Sequence, residues 1–551
     1  RQVSEQLRSQ PQLRSGPRPV MASPSDEAQL ELSLSASEKL VERWLQCMPL
    51  EREVEKQECL DAAQSLPPRE LERRGLGLHK LYIASSETAL FGRALLTLQL
   101  SGARPLPPTR LSSGTMVALR SAGAAASGKE HLVATVTRVT NTAVSVSLEE
   151  MPDDEELPEP ITLHLLYNDV TYRRCEQAIG VLRAGRIPPK AAQLCGVLLG
   201  EAPLATRPSP PPLEEHQVLN RGLNAGQLEA VATGLAAAPV CLIHGPPGTG
   251  KTTAVVELIK QAVARGERVL ATAASNIAVD NMAERLLAGR GALRQIVRVG
   301  HPARLLPAVV GISLDAKLAS SDGGAIVRDI KKEIDDAQAK CRRCDGAKRA
   351  SLRGEVRELR KELNKRQQKS VRDLLMAAQV VLCTNTGAQD RALQLLPAGH
   401  AFDLVVIDEA AQALETTCWV ALLRGRRAVL AGDHQQLPPV VKSEAAAALG
   451  FGVTLFERLQ REHGEAVGVM LTTQYRMHAA ISDWSSAEFY AGRLTPHAAV
   501  AAHTLAQLGH VQDTAETAAP LQLIDTAGCD CEEDEEDEPA GRGGGGGGGS
   551  G

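Results

Sequence analysis

Eight consecutive residues carry the clearest chemical signal in the chain. Residues 245–252 read GPPGTGKT and fit the pattern G-x-x-x-x-G-K-[ST]. Glycines in this pattern let backbone N–H groups close around phosphates, Lys251 offers a positive charge to the outer phosphates, and the Thr252 hydroxyl can ligate Mg²⁺. The apolar run 240–243 before the loop predicts a buried strand, and the apolar spacing within 254–264 predicts a helix. The pattern therefore predicts a nucleotide-phosphate site.

Two acidic residues supply the groups that a phosphate loop lacks. Asp408 and Glu409 follow the apolar run 404–407. Hydrolysis of a nucleotide needs one carboxylate for the Mg²⁺ shell, which we assign to Asp408, and another to position the attacking water, which we assign to Glu409 as general base. Gln436 stands on a loop after another apolar run, where its amide can sense the γ-phosphate or the bridging water. These residues predict a P-loop hydrolase.

The elements that must hold these residues alternate between strands and helices. From Asn224 onward, short apolar runs at 269–272, 380–383, 404–407 and 428–431 are separated by helical spacing. That alternation predicts an α/β fold, in which a parallel sheet is covered by helices on both sides.

The first part of the chain has a different pattern. Residues 27–63 read as a polar helical stretch, and apolar residues then alternate with period two between about 81 and 166. Several short strands with intervening turns predict a small β-barrel, a fold class that often contacts oligonucleotides. Residues 173–200 read as helical, and 202–212 form a proline-rich linker.

A helical hairpin is predicted within residues 325–372, where two apolar series at helical spacing flank residues 344–346. Between 340 and 372 stand thirteen Lys or Arg and four Asp or Glu. Two interpretations stay open: a solvated helix face, or contact with nucleic-acid phosphates. Cys341 and Cys344 have the spacing of half a zinc site, but no partner pair follows, so we treat them as helix positions.

Composition limits the class of protein. A chain of 551 residues predicts roughly three to four domains. No run of about 18 apolar residues is present, so we expect no membrane span. The net charge of −5 would be +2 without the acidic run 532–538, so local charge matters more than the total. Eleven cysteines scattered through apolar segments fit reduced thiols in a cytosolic or nuclear protein.

Longer motifs carry a family resemblance. DEAAQ at 408–412, GDHQQLPP at 432–439 and QYRMH at 474–478 resemble motifs II, III and IV of superfamily 1B helicases of the nonsense-decay type. LNAGQ at 223–227 resembles their Q motif, and SNIAVDN at 275–281 resembles motif Ia. Further stretches are similar to the immunoglobulin μ-binding protein 2 helicases; they are 168–174, 300–305, 383–388 and 523–529. An oligomeric AAA-type ATPase shares GPPGTGKT but leaves QYRMH unexplained.

The resemblance implies roles for matching residues. Gln227 would recognise adenine, Tyr475 would contact the nucleotide, and Arg476 would act as an arginine finger. Ser275 and Asn276 would contact the nucleic-acid backbone rather than the bases. The implied ATP-binding set is Gln227, Gly245, Pro246, Pro247, Gly248, Thr249, Gly250, Lys251, Thr252, Thr253, Gln436, Tyr475 and Arg476. The implied cofactors are ATP and Mg²⁺, the metal being held by Thr252 and Asp408.

The resemblance also implies an activity: ATP-dependent 5′-to-3′ unwinding of DNA and RNA by translocation on a single strand. We expect a monomer in the cytoplasm and nucleus. Ala274 stands where motif Ia usually has proline, and Gln435 replaces a frequent lysine. No residues correspond to motifs V and VI, so we expect a C-terminally truncated helicase with an incomplete second RecA-like domain. The alternative is a chain that binds ATP and nucleic acid without unwinding.

These observations predict a domain plan. The leader is compatible with a transit-peptide remnant or with translated sequence before Met21. The predicted parts are a disordered leader (1–26), a helical stalk (27–80), a β-barrel (81–172), a stalk and linker (173–212), a first RecA-like domain (213–445) with a helical insertion (304–375), a partial second RecA-like domain (446–530) and a disordered acidic and glycine-rich tail (531–551).

Overall fold

A computed structural model describes residues 35–523 and 525, with gaps at 65–67, 89–92, 113, 122–131, 149–156, 167–168, 205–212, 214–217, 237–238, 290, 301–303, 342–343, 345 and 524. The predicted leader, most of the proline-rich linker and the predicted tail lie outside the described residues. The chain divides into two compact units, the first ending at Thr472 and the second beginning at Thr473. This division falls later than the domain boundary predicted at residues 445/446.

A closed barrel of six antiparallel strands follows two helices, α1 (Ala36–Gln64) and α2 (Pro68–Arg73). Apolar side chains that alternate along each strand fill its interior; in the fifth strand these are Val144, Val146 and Leu148. The predicted barrel is therefore confirmed. Its strands, in the order β1-β2-β5-β4-β3-β6, are β1 (Gly77–Thr88), β2 (Ala94–Leu100), β3 (Met116–Ser121), β4 (Leu132–Val139), β5 (Ala143–Leu148) and β6 (Ile161–Leu165).

The chain leaves the barrel through helices α3 (Val170–Arg183) and α4 (Ala192–Leu198). Together with α1 they form the helical stalk, whose apolar side chains join one of the two large apolar clusters of the first unit. Trp44 of α1 lies against Trp419, with ring centroids 5.9 Å apart. The stalk is therefore packed on the sheet domain rather than extended as a free linker.

A sheet of seven parallel strands forms the centre of the first unit, in the order β13-β7-β12-β11-β8-β10-β9. Its strands are β7 (Val240–His244), β8 (Val269–Ala273), β9 (Ile296–Arg298), β10 (Val380–Thr384), β11 (Leu404–Asp408), β12 (Ala428–Gly432) and β13 (Gly468–Met470). Because both faces are covered, the strands read as continuous apolar runs. The predicted parallel sheet is confirmed, and β9 and β13 are strands that the sequence patterns missed.

Helices pack on both faces of this sheet. On β7, Leu242 joins one apolar cluster and Ile243 joins the other, as alternation along a strand requires. The helices are α5 (Ala225–Ala236), α6 (Lys251–Ala264), α7 (Asn276–Leu287), α8 (Leu314–Ser320), α9 (Asp322–Cys341), α10 (Gly346–Ala377), α11 (Arg391–Gln394), α12 (Glu415–Leu422), α13 (Glu444–Ala448) and α14 (Leu455–His463).

The predicted helical hairpin is formed by α9 and α10, which enclose a small apolar cluster of their own. Cys341 ends α9, and Cys344 lies in the turn. Among the described residues, neither cysteine belongs to a group that could hold a metal ion. No helix in the described part of the chain is long and apolar enough to cross a membrane.

The second unit contains two short parallel strands, β14 (Thr473–Gln474) and β15 (Thr495–Pro496), together with helices α15 (Ala479–Phe489) and α16 (Ala515–Ala518). Of the stretch 523–529, whose similarity to the family was noted above, only Leu523 and Asp525 lie within the described residues.

Candidate nucleotide site and motif Ia

The parallel sheet brings the ends of four neighbouring strands to one edge. The phosphate loop follows β7, Gln436 lies beyond β12, Asp408 ends β11, and Ser275 comes just after β8. These strands are adjacent in the order β7-β12-β11-β8. Since ligands of open parallel sheets bind at the carboxyl edge, the four segments belong to one candidate site.

The phosphate loop has a defined backbone in the structure. Gly248 and Gly250 adopt left-handed conformations with φ of 76° and 75°. These conformations are unfavourable for residues that have a Cβ atom. The buried Thr249 hydroxyl donates to the Pro246 carbonyl at 2.7 Å and tightens the turn. Helix α6 begins directly after Gly250, so its first N–H groups and the positive end of its dipole lie at the loop. The arrangement suits an anion of phosphate size.

Gln227 is fastened to this loop. Its Nε2 donates to the Thr249 carbonyl at 2.9 Å, and its Oε1 accepts from the Asn224 N–H at 3.0 Å. The Asn224 side chain accepts in return from the Gln227 N–H at 2.8 Å. The structure therefore gives Gln227 a role that the sequence did not predict, as a support of the phosphate loop. Its contact with adenine stays a prediction.

Lys251 joins the loop to the acidic pair. Its Nζ lies 2.6 Å from Glu409 Oε2 and 3.6 Å from Asp408 Oδ1. Burial raises the pKa of the Asp408 carboxyl, the Lys251 ammonium acts in the opposite direction, and the Glu409 N–H donates to Asp408 Oδ1 at 2.9 Å. A cation held by both carboxylates shows that the pair suits positive charge. Oxygen ligands from Asp408 and Thr252 are the kind that Mg²⁺ prefers.

Glu409 has a strained backbone. Its φ of 53° and ψ of 38° are left-handed, which costs a residue with a side chain roughly 1–2 kcal/mol. Strain of this kind concentrates at functional positions, where the surrounding structure holds it. The residue assigned as general base thus has an unusual backbone conformation for a residue with a side chain.

Gln436 is tied to β7 through Asp433. Its Nε2 donates to Asp433 Oδ2 at 2.8 Å, while Asp433 Oδ1 lies 2.9 Å from His244 Nε2. His244 directly precedes the phosphate loop and pairs with Gly432 across neighbouring strands. His244 and Asp433 were not among the predicted site residues, although both stand just after predicted strands. With His434, whose pKa is lowered by burial and by His244, they form the one group among the described residues whose ligand atoms could hold a metal ion.

Motif Ia is organised by a buried arginine. Ser275 caps α7 by accepting from the Ala278 N–H at 3.2 Å. Asn276 Oδ1 accepts from Arg298 Nη2 at 2.9 Å, and Arg298 Nε donates to Asp280 Oδ1 at 2.8 Å. Arg298 and Asp280 were not among the predicted site residues, and the only signal was a charged residue that interrupts the apolar run 296–299. The nucleic-acid contacts of Ser275 and Asn276 stay predictions.

The remaining predicted site residues stand in three places. Gly245, Pro246 and Pro247 line the first half of the loop, and Thr252 and Thr253 are half-buried in the first turn of α6. In the second unit, Gln474 Oε1 accepts from the Arg476 N–H at 2.7 Å, and the Tyr475 ring packs on His497 with centroids 4.6 Å apart. The roles of Tyr475 and Arg476 at the nucleotide stay predictions.

Models of known protein families match most of the described chain. A model of the AAA domain matches residues 222–444, a second AAA-domain model matches 451–542, and the model described as helicase SMUBP-2/HCS1, 1B domain matches 41–167. The third match covers the first stalk helix and the barrel.

Individual relatives agree with these models. DNA-binding protein SMUBP-2 of Mesocricetus auratus is 43% identical over 506 residues, which cover 90% of this chain and 50% of the relative. DNA polymerase alpha-associated DNA helicase A of Schizosaccharomyces pombe is 35% identical over 493 residues, covering 86% and 72%. The chain spans about half the length of the SMUBP-2 proteins it matches. Among solved structures, an arterivirus nonstructural protein 10 helicase aligns with a TM-score of 0.30 at 11% identity, covering 76% of this chain and 60% of the viral chain.

Proposed function

Because the chain belongs to the SMUBP-2/HCS1 family of helicases, we propose that it is an ATP-dependent 5′-to-3′ helicase that moves along single-stranded DNA or RNA, with ATP and Mg²⁺ as cofactors. The observation that carries the proposal is the grouping of Lys251, Asp408 and Glu409 at the phosphate loop. We further propose that it acts as a monomer in the cytoplasm and nucleus, an expectation that rests on the resemblance alone.

Four side chains take new partners in the proposed reaction. Lys251 leaves the two carboxylates and turns its ammonium to the outer phosphates. Asp408 and the Thr252 hydroxyl become available to Mg²⁺, which supplies neutralising charge on the phosphates when bound. Glu409 is freed to orient the attacking water and take its proton. The ion pair of Lys251 with Glu409 therefore keeps the hydrolytic groups paired until a nucleotide enters.

Movement along the strand needs contacts that do not read bases. In the proposal, Ser275 and Asn276 contact the backbone at the start of α7. Ile277 beside them is 65% exposed, which leaves this end of α7 open to a strand. In the proposal, Gln436 senses the γ-phosphate. By the family resemblance, Tyr475 contacts the nucleotide and Arg476 stabilises charge in the transition state.

Hydrolysis is tested on the full chain with and without a single-stranded oligonucleotide. Lys251→Ala and Glu409→Gln should each lower kcat by on the order of 10²-fold or more, because each removes a group that acts on the reacting phosphate. Lys39→Ala, which removes an exposed lysine of α1, is the control. Unchanged turnover in both site variants would refute the assignment.

Direction is tested on partial duplexes that carry a single-stranded tail at either the 5′ or the 3′ end. We expect displacement from the 5′-tailed duplex alone. Displacement from the 3′-tailed duplex alone would show that the chain moves in the opposite direction, 3′ to 5′. Binding of ATP and strand with displacement of neither duplex would support the alternative, a chain that binds both without unwinding.

A further inference from the structure

A buried carboxylate of the stalk contacts the loop that follows Gln436. Glu51 lies on α1 and is 2% exposed. Its Oε1 accepts from the Lys442 N–H and its Oε2 from the Ser443 N–H, both at 2.8 Å. A buried carboxylate is unfavourable unless it is hydrogen-bonded, and here each oxygen has its own donor. Glu51 therefore fixes two backbone positions of an element remote from it in sequence.

The segment 437–443, which we term the sensor loop, is held at both ends. At its start, Gln436 is bonded to Asp433, as described above. At its end, Ser443 is held by Glu51, and its hydroxyl caps α13 by accepting from the Ala446 N–H at 3.2 Å. The residues between have no regular secondary structure, and Leu437 and Val440 are both 81% exposed. The course of the sensor loop therefore depends on side-chain anchors.

The anchor belongs to an element that also contacts the exit from the barrel. Arg52, the next residue of α1, forms ion pairs with Asp169 at 2.7 Å and Glu176 at 3.1 Å. Asp169 directly precedes α3, the helix that follows the last barrel strand. One turn of α1 thus contacts both the start of α3, which follows the barrel, and the end of the sensor loop, which follows Gln436.

We propose that Glu51 is a positioning residue for ATP hydrolysis: it holds the sensor loop so that Gln436 is placed for the γ-phosphate, and it couples engagement of the stalk and barrel to turnover. The inference rests on the proposed function, because it assigns a purpose to Gln436. The inference adds Glu51, a residue outside the helicase motifs, to the residues that affect turnover. It also gives the coupling a direction, from the stalk and barrel to Gln436.

The anchor itself is tested without nucleotide by hydrogen exchange on the full chain. Glu51→Gln keeps the shape of the side chain but presents one acceptor and one N–H₂ group to two N–H donors, so one bond is lost. Exchange of the Lys442 and Ser443 amide hydrogens should become faster by about tenfold, since a partner that protects these amides has been weakened. Glu53→Gln, on the same helix but paired with exposed Lys56 at 3.1 Å, should leave it unchanged. Unchanged exchange in Glu51→Gln would overturn the anchor.

Its effect on the reaction is tested by ATP turnover with and without single-stranded oligonucleotide. Glu51→Gln should leave KM for ATP within about twofold, since the nucleotide contacts are intact. The stimulation of kcat by the strand should fall by about fivefold or more, the scale of coupling between two sites. Glu51→Asp keeps both acceptor oxygens and should retain more stimulation than Glu51→Gln.

A purely structural role predicts a different result: a lower melting temperature with unchanged stimulation in the protein that remains folded. That result, or equal stimulation in Glu51→Gln and Glu53→Gln, would overturn the positioning role. A wild-type chain that does not hydrolyse ATP would refute the proposed function instead, and the exchange measurement would still decide whether Glu51 anchors the loop.

Discussion

At the scale of single residues, the phosphate loop depends on a left-handed backbone conformation at Gly250. Gly250 ends the phosphate loop at a φ of 75°, and a Cβ built on it would lie 2.5 Å from Gln227 Nε2. The same Gln227 amide donates to the Thr249 carbonyl. Glycine is therefore required at 250 for two reasons, its backbone conformation and the closeness of the residue that supports the loop.

Gly250→Ala should weaken ATP binding by on the order of tenfold or more, because the new methyl group displaces Gln227 and loosens the phosphate loop. The dissociation constant of a fluorescent ATP analogue is the measurement. Gly266→Ala is the matched control: φ is +83° there, but nothing lies within 4 Å of the added Cβ. Both variants carry a backbone strain of roughly 1–2 kcal/mol, so equal affinities in the two would show that the contact with Gln227 has no role.

At the scale of elements, the hairpin of α9 and α10 has an apolar interface between its two helices and a basic, solvent-exposed face on α10. Val356 and Leu363 of α10 pack against α9. Exposed basic residues recur every four positions along α10: Arg353, Arg357, Lys361, Lys365 and Lys369. Lys361 is paired with Glu358 at 2.7 Å, so part of this charge is compensated within the helix. The two interpretations of the basic segment, solvated face and phosphate contact, predict different salt dependence.

Arg353→Glu combined with Arg357→Glu decides between them. If the helix contacts phosphates, affinity for a single-stranded oligonucleotide falls, and the slope of log affinity against log salt decreases by about 1.4, or 0.7 for each lost contact. Fluorescence anisotropy across a salt series measures both quantities. Arg265→Glu combined with Lys39→Glu, two exposed residues outside the hairpin, makes the same change in net charge and is the control. An unchanged slope would favour the solvated face.

At the scale of the molecule, the first unit extends beyond the boundary predicted at residues 445/446. Strand β13 pairs with β7, the strand that leads into the phosphate loop. Arg458 of α14 is bonded to buried Glu415 at 2.6 Å and to the Leu198 carbonyl of the stalk at 2.8 Å. These contacts make the segment from α14 to β13 part of the fold that carries the nucleotide site.

A chain ending at Thr472 should therefore unfold cooperatively and bind ATP, whereas a chain ending at residue 445 should not. The shorter chain exposes an edge of β7 and leaves buried Glu415 without Arg458, and loss of one partner from a buried pair costs about 3–5 kcal/mol. Thermal unfolding followed by circular dichroism, with and without ATP, compares the two. Equal melting temperatures would contradict the extent assigned to the first unit.

The sequence by itself determined the local features of this protein. Residues 245–252 specify a phosphate loop because glycine, lysine and threonine are needed there for conformation and charge. Apolar runs specified the parallel strands, period-two alternation specified the barrel, and helical spacing specified the α9–α10 hairpin. Each of these features depends on neighbours within a few residues along the chain. Strands β9 and β13 have three residues each, too few to show such a pattern, which explains why they were missed.

Only the tertiary structure decided how distant residues meet. Gln227 supports the phosphate loop, Lys251 pairs with Glu409, and Glu51 reaches Ser443 across 392 positions of sequence. Such contacts depend on strand order and on the packing of the stalk, which no local periodicity specifies. Buried polar groups must find partners wherever the fold brings donors and acceptors together. The phosphate loop can therefore be predicted from the sequence, whereas the residues that support it can be identified only from the tertiary structure.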